Sequence, residues 1–100
     1  MTQAIGANVA LVFPRGAADL AAVPDAVAVA LLVIASDVPD LDRAMVLAAI
    51  GPLAAARAPA QRIAAIDVAP GADEADVVAA ARFLAGAESS TGQALRITAR

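Results

Sequence analysis

Five kinds of side chain are missing from this 100-residue sequence: cysteine, histidine, lysine, tyrosine and tryptophan. Without cysteine there is no disulfide framework and no thiolate ligand for a metal. Without histidine a zinc site would have to consist of carboxylates alone, which zinc sites rarely do. The chain has serine and threonine, but no imidazole or ammonium side chain that could activate their hydroxyls as nucleophiles. These absences exclude thiol and imidazole chemistry and argue against a zinc site.

Basic charge is also scarce, since the net charge is −3 and the isoelectric point is about 4.5. A protein that binds nucleic acid presents a basic surface to the phosphates, so the charge argues against this class of partner. The longest uninterrupted apolar run, residues 26–35, is shorter than the roughly 20 residues that span a bilayer. No basic segment precedes an apolar one at the N-terminus, so no signal peptide is indicated. We expect a cytoplasmic protein that binds neither nucleic acid nor a membrane.

The chain is rich in small apolar side chains. Hydrophobic residues make up 61% of the sequence, above the roughly 45–50% of ordinary globular proteins, yet aromatic residues make up only 2%. Roughly a third of the residues are alanine, which buries little area per side chain. We expect residues 1–100 to form a single domain whose small core cannot bury all of the apolar surface. Part of that surface is then expected to face a partner.

Apolar runs alternate along the chain with segments of helical pattern. The runs predict strands over residues 8–13, 27–34, 63–68 and 94–98, and the other segments predict helices over residues 17–23, 40–57 and 75–85. Continuous apolar runs are typical of strands that are buried on both faces. The pattern therefore predicts an α/β fold with three layers and a small, mostly parallel sheet of about four strands.

Capping and breaking residues refine the predicted helices. Asp40 is expected to cap the second helix, and Pro52 is expected to kink or split it. Asp73, with Asp76 three residues later, resembles a capping box at the start of the third helix. These two carboxylates and Glu74 could instead bind a divalent cation, but the helix N-terminus explains them fully.

Two polar features interrupt the apolar pattern near the C-terminus. Asp67 lies inside a predicted strand, so it must either face solvent at a sheet edge or pair with Arg62 or Arg96. The cluster Ser89-Ser90-Thr91-Gly92 has the composition of a turn. Neither feature predicts catalysis.

The last forty residues carry a resemblance to a known family. They read RIAAIDVAPG over residues 62–71, then a capped helix over residues 75–85, then TGQALRI over residues 91–97. This order of strand, Pro-Gly turn, helix, polar turn and strand resembles the C-terminal end of a short-chain dehydrogenase/reductase. The resemblance is specific over residues 62–97 and loose over residues 8–57. It implies a reduced Rossmann-like domain.

The resemblance also implies that the catalytic pair of the family is absent. The family uses a Tyr-x-x-x-Lys pair on the helix before the penultimate strand, and this chain has neither residue type. When residues 42–51 are laid on that helix, Asp42 and Val46 stand where the tyrosine and the lysine would be. Neither can protonate a carbonyl oxygen as a weak acid or hold a ribose hydroxyl. Residues 36–40 also resemble an earlier segment of the family, so a second register is open.

The cofactor loop of the family is reduced as well. In the family a Thr-Gly-x-x-x-Gly-x-Gly loop follows the first strand, and its glycines let the backbone approach a pyrophosphate. Here the corresponding turn reads Pro14-Arg15-Gly16 and has one glycine. Arg15 could meet a phosphate, and Asp37 stands near the place of a ribose-binding acid. A minimal NAD(P)-binding oxidoreductase domain using Arg15, Gly16 and Asp37 is therefore the alternative function. Otherwise we expect no cofactor and no metal ion.

The retained C-terminal part has a role in the family, where the last helix and the last strand form a subunit interface. The predicted helix is apolar around most of its circumference, which is typical of a helix that is buried on more than one side. Alternatively, its alanines simply tolerate solvent. We expect a non-catalytic subunit that associates with itself or with a full-length short-chain dehydrogenase/reductase. The expected interface residues are Val78, Ala81, Arg82, Ala85, Leu95 and Ile97.

Overall fold

The structure, a computed structural model, describes residues 2–4, 8–24, 26–87 and 91–99. Its strands are β1 Thr2–Ala4, β2 Val9–Val12, β3 Val29–Ile34, β4 Arg62–Val68 and β5 Gln93–Ile97. Its α-helices are α1 Asp40–Arg57 and α2 Glu74–Gly86, and a short 3-10 helix spans Ala17–Ala22. The four predicted strands and the three predicted helical segments are therefore all present, with ends that differ by two residues or fewer. Ser89 and Ser90 of the predicted turn lie outside the described residues.

The strands form one five-stranded sheet in the order β1-β2-β3-β4-β5. Strands β2 to β5 run parallel, and β1 runs antiparallel to β2 with Thr2 opposite Val12. This arrangement confirms the predicted α/β fold and its mostly parallel sheet. The sequence did not predict β1, because a three-residue strand without an apolar run carries little signal.

Strand β3 lies at the centre of the fold and is buried at all six of its positions. Its side chains point alternately to the two faces of the sheet. Leu32 and Ile34 pack in a layer with α1 and the 3-10 helix, whereas Leu31 and Val33 pack in a layer with α2. Because a helix lies on each face, the strand is apolar at every residue rather than at every second one.

The connections between parallel strands that run through α1 and through α2 differ in handedness. The 3-10 helix and α1 lie on one face and α2 lies on the other, while each parallel connection moves one strand further in the same direction. Two connections that move in the same direction over opposite faces must have opposite hands. The connection through α2 therefore has the opposite hand to the connection through α1, although about 98% of such connections are right-handed.

Helix α1 is one continuous helix of 18 residues, so of the expected kink or split at Pro52 the split is wrong. Pro52 lacks the N–H group that would bond to the carbonyl of Ala48. Ala48 is exposed, so water can take the place of that donor. The buried residues Val46, Ile50 and Ala54 hold the helix on the sheet on both sides of the proline, and this packing keeps the helix intact.

The two predicted caps have different outcomes. The Asp73 cap of α2 is confirmed, because its carboxylate accepts a hydrogen bond from the Ala75 backbone N–H at 2.9 Å. The Asp40 cap is wrong by one residue, because Pro39 precedes α1 and Asp40 is its first helical residue. Asp40 still lies in the first turn, where the helix dipole favours a negative charge.

Helix α2 leaves part of its face of the sheet uncovered. It packs mainly on β3, β4 and β5. On that side Val9, Leu11 and Phe13 are only half-buried, whereas Ala10 and Val12 on the opposite side are buried. Strand β2 is therefore apolar on both faces, but the described residues fully cover only one of them.

Candidate functional site

Two predicted cofactor residues meet at the carboxyl edge of the sheet. Parallel strands place their carboxyl ends at one edge, which is where open α/β sheets bind ligands. Arg15 follows β2 and Asp37 follows β3, and Arg15 Nη1 donates to Asp37 Oδ1 at 2.7 Å. This hydrogen bond, together with the positive charge of Arg15, holds the pKa of Asp37 below its usual value. Both side chains are exposed, and each balances the charge of the other.

The backbone at Gly16 does not have the geometry of a pyrophosphate cradle. Its φ is −172° and its ψ is 175°, an extended conformation that any residue adopts. A Cβ added there would meet only Asp42, with the nearest oxygen at 3.4 Å, which is an ordinary contact. The third predicted cofactor residue therefore lies beside Arg15 without the close backbone approach that makes glycine necessary in such loops.

The positions laid on the family's catalytic pair lie on α1, one turn apart. Asp42 is half-buried and stands beside Gly16. Val46 is fully buried in the core between α1 and the sheet. In this register the lysine position is occupied by a core residue that does not reach the surface.

Asp67 is the buried centre of an ion cluster at the end of β4. Its side chain is 8% exposed and accepts hydrogen bonds from Arg43 and from Arg96, the latter at 2.8 Å. The predicted pairing with Arg96 is confirmed, and it follows from strand register, since Arg96 stands directly opposite Asp67 on β5. Arg62, the other predicted partner, instead donates to backbone carbonyls that follow or end α2, including Ala85 at 3.1 Å.

Arg43 is the partner of Asp67 that the sequence did not reveal. Its guanidinium also donates to the Ala35 carbonyl at 2.7 Å and to the Val38 carbonyl at 3.3 Å. It thereby joins the end of β3, the following loop and the end of β4. Nothing in the spacing of Arg43 and Asp67 could have indicated this contact, because it depends on how α1 lies over the sheet. No group of three or more acidic side chains within the described ranges is placed to hold a metal ion.

Some of the predicted interface residues on α2 are exposed, and others are partly or fully buried. Val78 is 43% exposed and Arg82 is exposed, whereas Ala81 is only 5% exposed and packs in the core beneath the helix. Ala85 is half-buried. The outward side of α2 also carries Phe83, 64% exposed, which the sequence analysis did not name.

Helix geometry explains why Phe83 is exposed once Leu84 is known to be buried. Successive residues of an α-helix are about 100° apart, so Phe83 lies well off the side defined by Leu84. Leu84 is buried. The five-residue separation between Val78 and Phe83 places them about 140° apart, on opposite flanks of α2. Val78 lines a depression together with Leu11 of β2, so it lies on the flank towards β2, and Phe83 lies on the other flank.

Strand β5 completes the predicted interface at the far edge of the sheet. It pairs with β4 and is the last strand in the sheet order. Leu95 and Ile97 are half-buried and pack on the α2 side. Arg96 points to the other side, towards Asp67. The edge of β5 that faces away from β4 has no strand partner among the described residues.

Two adjacent depressions lie along the flank of α2 that faces β2. One, of about 570 Å³, lies on the outer side of the helix between Glu74 and Arg82. The other, of about 280 Å³, is a groove between α2 and the uncovered part of the sheet. Its lining includes Leu11, Phe13, Val33, Val77, Glu74 and Val78. Glu74 and Val78 line both depressions, so the two form one continuous surface.

None of the helices within the described ranges combines the length and the apolarity needed to cross a bilayer.

Comparison of the chain with curated proteins finds no match, and comparison with solved structures finds none either. A family model described as short chain dehydrogenase-like protein matches residues 3–97, which include every strand except the first residue of β1 and all of the helices. With nearly the whole chain matched, this protein belongs to the short chain dehydrogenase-like protein family.

Proposed function

We propose that this chain is a non-catalytic short-chain-dehydrogenase-like subunit that associates, through α2 and β5, with itself or with a full-length dehydrogenase/reductase. The observation that carries the proposal is the apolar outward side of α2. Val78 and Phe83 are 43% and 64% exposed on a helix whose opposite side already packs on the sheet. A helix that is apolar nearly all round is typical of burial on more than one side.

The energetics favour covering this surface. Burying a large apolar side chain fully contributes about 1.5–3 kcal/mol. Val78 and Phe83 alone do not make a stable interface, because such interfaces bury roughly 1,200–2,000 Å² in total. The adjoining edge of β5, with Leu95 and Ile97 half-buried, supplies further area. Its unpaired backbone groups could also extend the sheet into a partner.

Two observations support a non-catalytic role: the absence of tyrosine and lysine from the sequence, and the burial of Val46. This sequence contains no tyrosine and no lysine, so the family's acid and its lysine partner are not in it. Asp42, laid on the tyrosine position, has no phenol hydroxyl. Val46, on the lysine position, is enclosed in the core. The cytoplasmic location favoured by the sequence stays a prediction.

Light scattering during size-exclusion chromatography tests the self-associating form of the proposal. The wild-type chain should show a mass above that of the monomer at micromolar concentrations. Phe83→Glu should return it to the monomer, because a charge would replace the exposed aromatic side chain. Ala55→Glu is the matched control, because Ala55 is exposed on α1, on the opposite face of the sheet, and it should leave the mass unchanged.

Affinity purification of the tagged chain from its native host tests the form with a full-length partner. A short-chain dehydrogenase/reductase should be recovered in a stoichiometric amount with the wild-type chain and lost with Phe83→Glu. The proposal is wrong if the chain is monomeric and recovers no such enzyme. It is also wrong if the Phe83→Glu chain associates as the wild type does.

A second candidate function is a minimal NAD(P)-binding oxidoreductase domain. The observation in its favour is that Arg15 and Asp37, which lie 22 residues apart, meet at the carboxyl edge of the sheet. It has less support, because the two charges already satisfy each other and Gly16 has an ordinary extended backbone. If this function exists, calorimetry with millimolar NAD(H) or NADP(H) should give a binding heat that Arg15→Ala abolishes. The absence of heat with the wild-type chain would remove this candidate.

A further inference from the structure

We propose that the groove between α2 and the uncovered part of the sheet binds a small apolar molecule that carries one protonated amine, and that the Glu74 carboxylate pairs with this amine. The groove lies on the face of the sheet that α2 partly covers, and none of the predicted cofactor residues Arg15, Gly16 and Asp37 lines it. The inference goes beyond the proposed function and does not depend on it, because one copy of the chain forms the whole groove.

The groove is apolar on two sides. Its floor is formed by Leu11, Phe13 and Val33 of the sheet side, and its wall by Val77, Val78 and Ala81 of α2. Strands of parallel sheets are normally covered on both faces, yet Leu11 and Phe13 are only half-buried. An apolar molecule in the groove would remove this surface from water, and the hydrophobic effect favours that removal.

The size of the groove indicates a small molecule rather than another helix. Its volume is about 280 Å³, close to the lower end of the roughly 300–1,000 Å³ that small-molecule sites occupy. A helix with its side chains is about 10 Å wide, so less than one turn of it, roughly 4 Å of its axis, would fill this volume. At about 30 Å³ for each non-hydrogen atom, the value for liquid water, the groove holds roughly nine such atoms.

The charge beside the groove favours a cation. Glu74 is the only charged side chain among the described residues that line it, and no ion pair joins Glu74 to another described residue. Asp73 caps the same end of α2, and Asp76 lies in its first turn. Three carboxylates outweigh the roughly half positive charge of a helix N-terminus, so this end of the groove repels an anion and attracts a protonated amine.

Titration of the ¹⁵N-labelled full chain at pH 7, followed by two-dimensional NMR, tests this inference with n-octylamine, 1-octanol and octanoate as probes. The three probes have apolar chains of the size that the groove holds, and their head groups are positive, neutral and negative. Octylammonium should bind at least about tenfold more tightly than octanoate, with octanol between them, because Glu74 attracts the first and repels the last. The amide signals of Leu11, Phe13, Val77 and Val78 should shift as a probe binds.

Glu74→Gln tests the ion pair separately from the apolar contact. It keeps the side-chain length and removes the charge, so it should raise the dissociation constant of octylammonium about three- to fivefold and leave that of octanol unchanged. Asp40→Asn is the matched control, because Asp40 is an exposed carboxylate at the start of α1, on the opposite face of the sheet. It should leave all three affinities unchanged. Phe83→Glu should bind the probes as the wild type does, since Phe83 does not line the groove.

A preference for octylammonium that Glu74→Gln removes and Asp40→Asn keeps supports the inference. The inference is wrong if no probe gives saturable shifts at millimolar concentration, or if the shifted signals lie outside the groove. It is also wrong if octanoate binds as tightly as octylammonium, or if Glu74→Gln keeps the preference. None of these results decides the proposed function, which is tested by the association of the Phe83→Glu chain.

Discussion

Two regions of this molecule carry charged side chains near a candidate site, and they differ in whether those charges have partners. At the carboxyl edge, Arg15 pairs with Asp37, and Asp67 lies between two arginines. On the outward side of α2, Glu74 and Arg82 flank exposed apolar residues without an ion pair to another described residue. At the edge where such folds bind ligands, these charged side chains pair with one another, whereas Glu74 and Arg82 on the helix surface have no ion pair with another described residue.

The ion cluster at the carboxyl edge should give the largest effect on stability. Asp67→Asn removes the charge that Arg43 pairs with while Arg43 stays nearly buried, with its side chain 12% exposed. Breaking a buried ion pair in this way costs about 3–5 kcal/mol of unfolding free energy. Urea denaturation should show this loss.

Arg96→Gln is the matched control for that experiment, because Arg96 is 56% exposed in the same cluster. Exposed ion pairs contribute about 0–1 kcal/mol, so its loss should be several-fold smaller. Equal losses in the two variants would mean that Asp67 is held equally by both arginines, contrary to the burial of Arg43.

Substitutions at Ala81 and Val78 should give the next largest effects. The substitution at Ala81 tests folding, and the one at Val78 tests association. Ala81 packs in the core, so Ala81→Asp buries an unpaired charge and should lower the melting temperature strongly. Val78 is 43% exposed, so Val78→Asp should change the melting temperature little and should abolish self-association. Thermal denaturation read beside sedimentation distinguishes the two. A folded, associating Val78→Asp chain would contradict the assignment of this surface.

The pair of Arg15 and Asp37 should give the smallest effect. Arg15 lowers the pKa of Asp37 in the folded chain, so the pair adds stability above the unfolded pKa of about 3.9 and loses it as the pH falls through the lower folded value. Both side chains are exposed, so the contribution is small. Arg15→Gln should lower the melting temperature slightly at pH 7, and the difference from wild type should vanish under strongly acidic conditions. A difference that grew with acidity would contradict the sign of this shift.

The sequence predicted the parts of the fold that local patterns determine. The apolar runs of β2 to β5 predicted a parallel sheet, and Asp73 predicted the start of α2. Features that depend on the assembled chain were not predicted. The spacing of residues cannot indicate which face α2 covers, that packing keeps α1 whole across Pro52, or that Arg43 reaches Asp67.

For the same reason, the sequence identified residues at the carboxyl edge of the sheet but not the orientation of α2. Arg15 and Asp37 were named because they stand where the family places its cofactor loop and its ribose-binding acid. Both follow parallel strands, whose carboxyl ends lie at the same edge of the sheet. On α2 the composition indicated an apolar surface but not its orientation. Ala81 was therefore named although it faces the core, and Phe83 was missed although it faces outwards.

The most direct test of the central claim, that the outward side of α2 lies against a second copy, is oxidative cross-linking of Val78→Cys. The chain has no cysteine of its own, so this variant carries a single thiol at an exposed position of α2. The account predicts a covalent dimer from Val78→Cys and monomer from Met45→Cys, an exposed position on α1. Cross-linking that is absent at Val78→Cys, or no stronger there than at Met45→Cys, would contradict it.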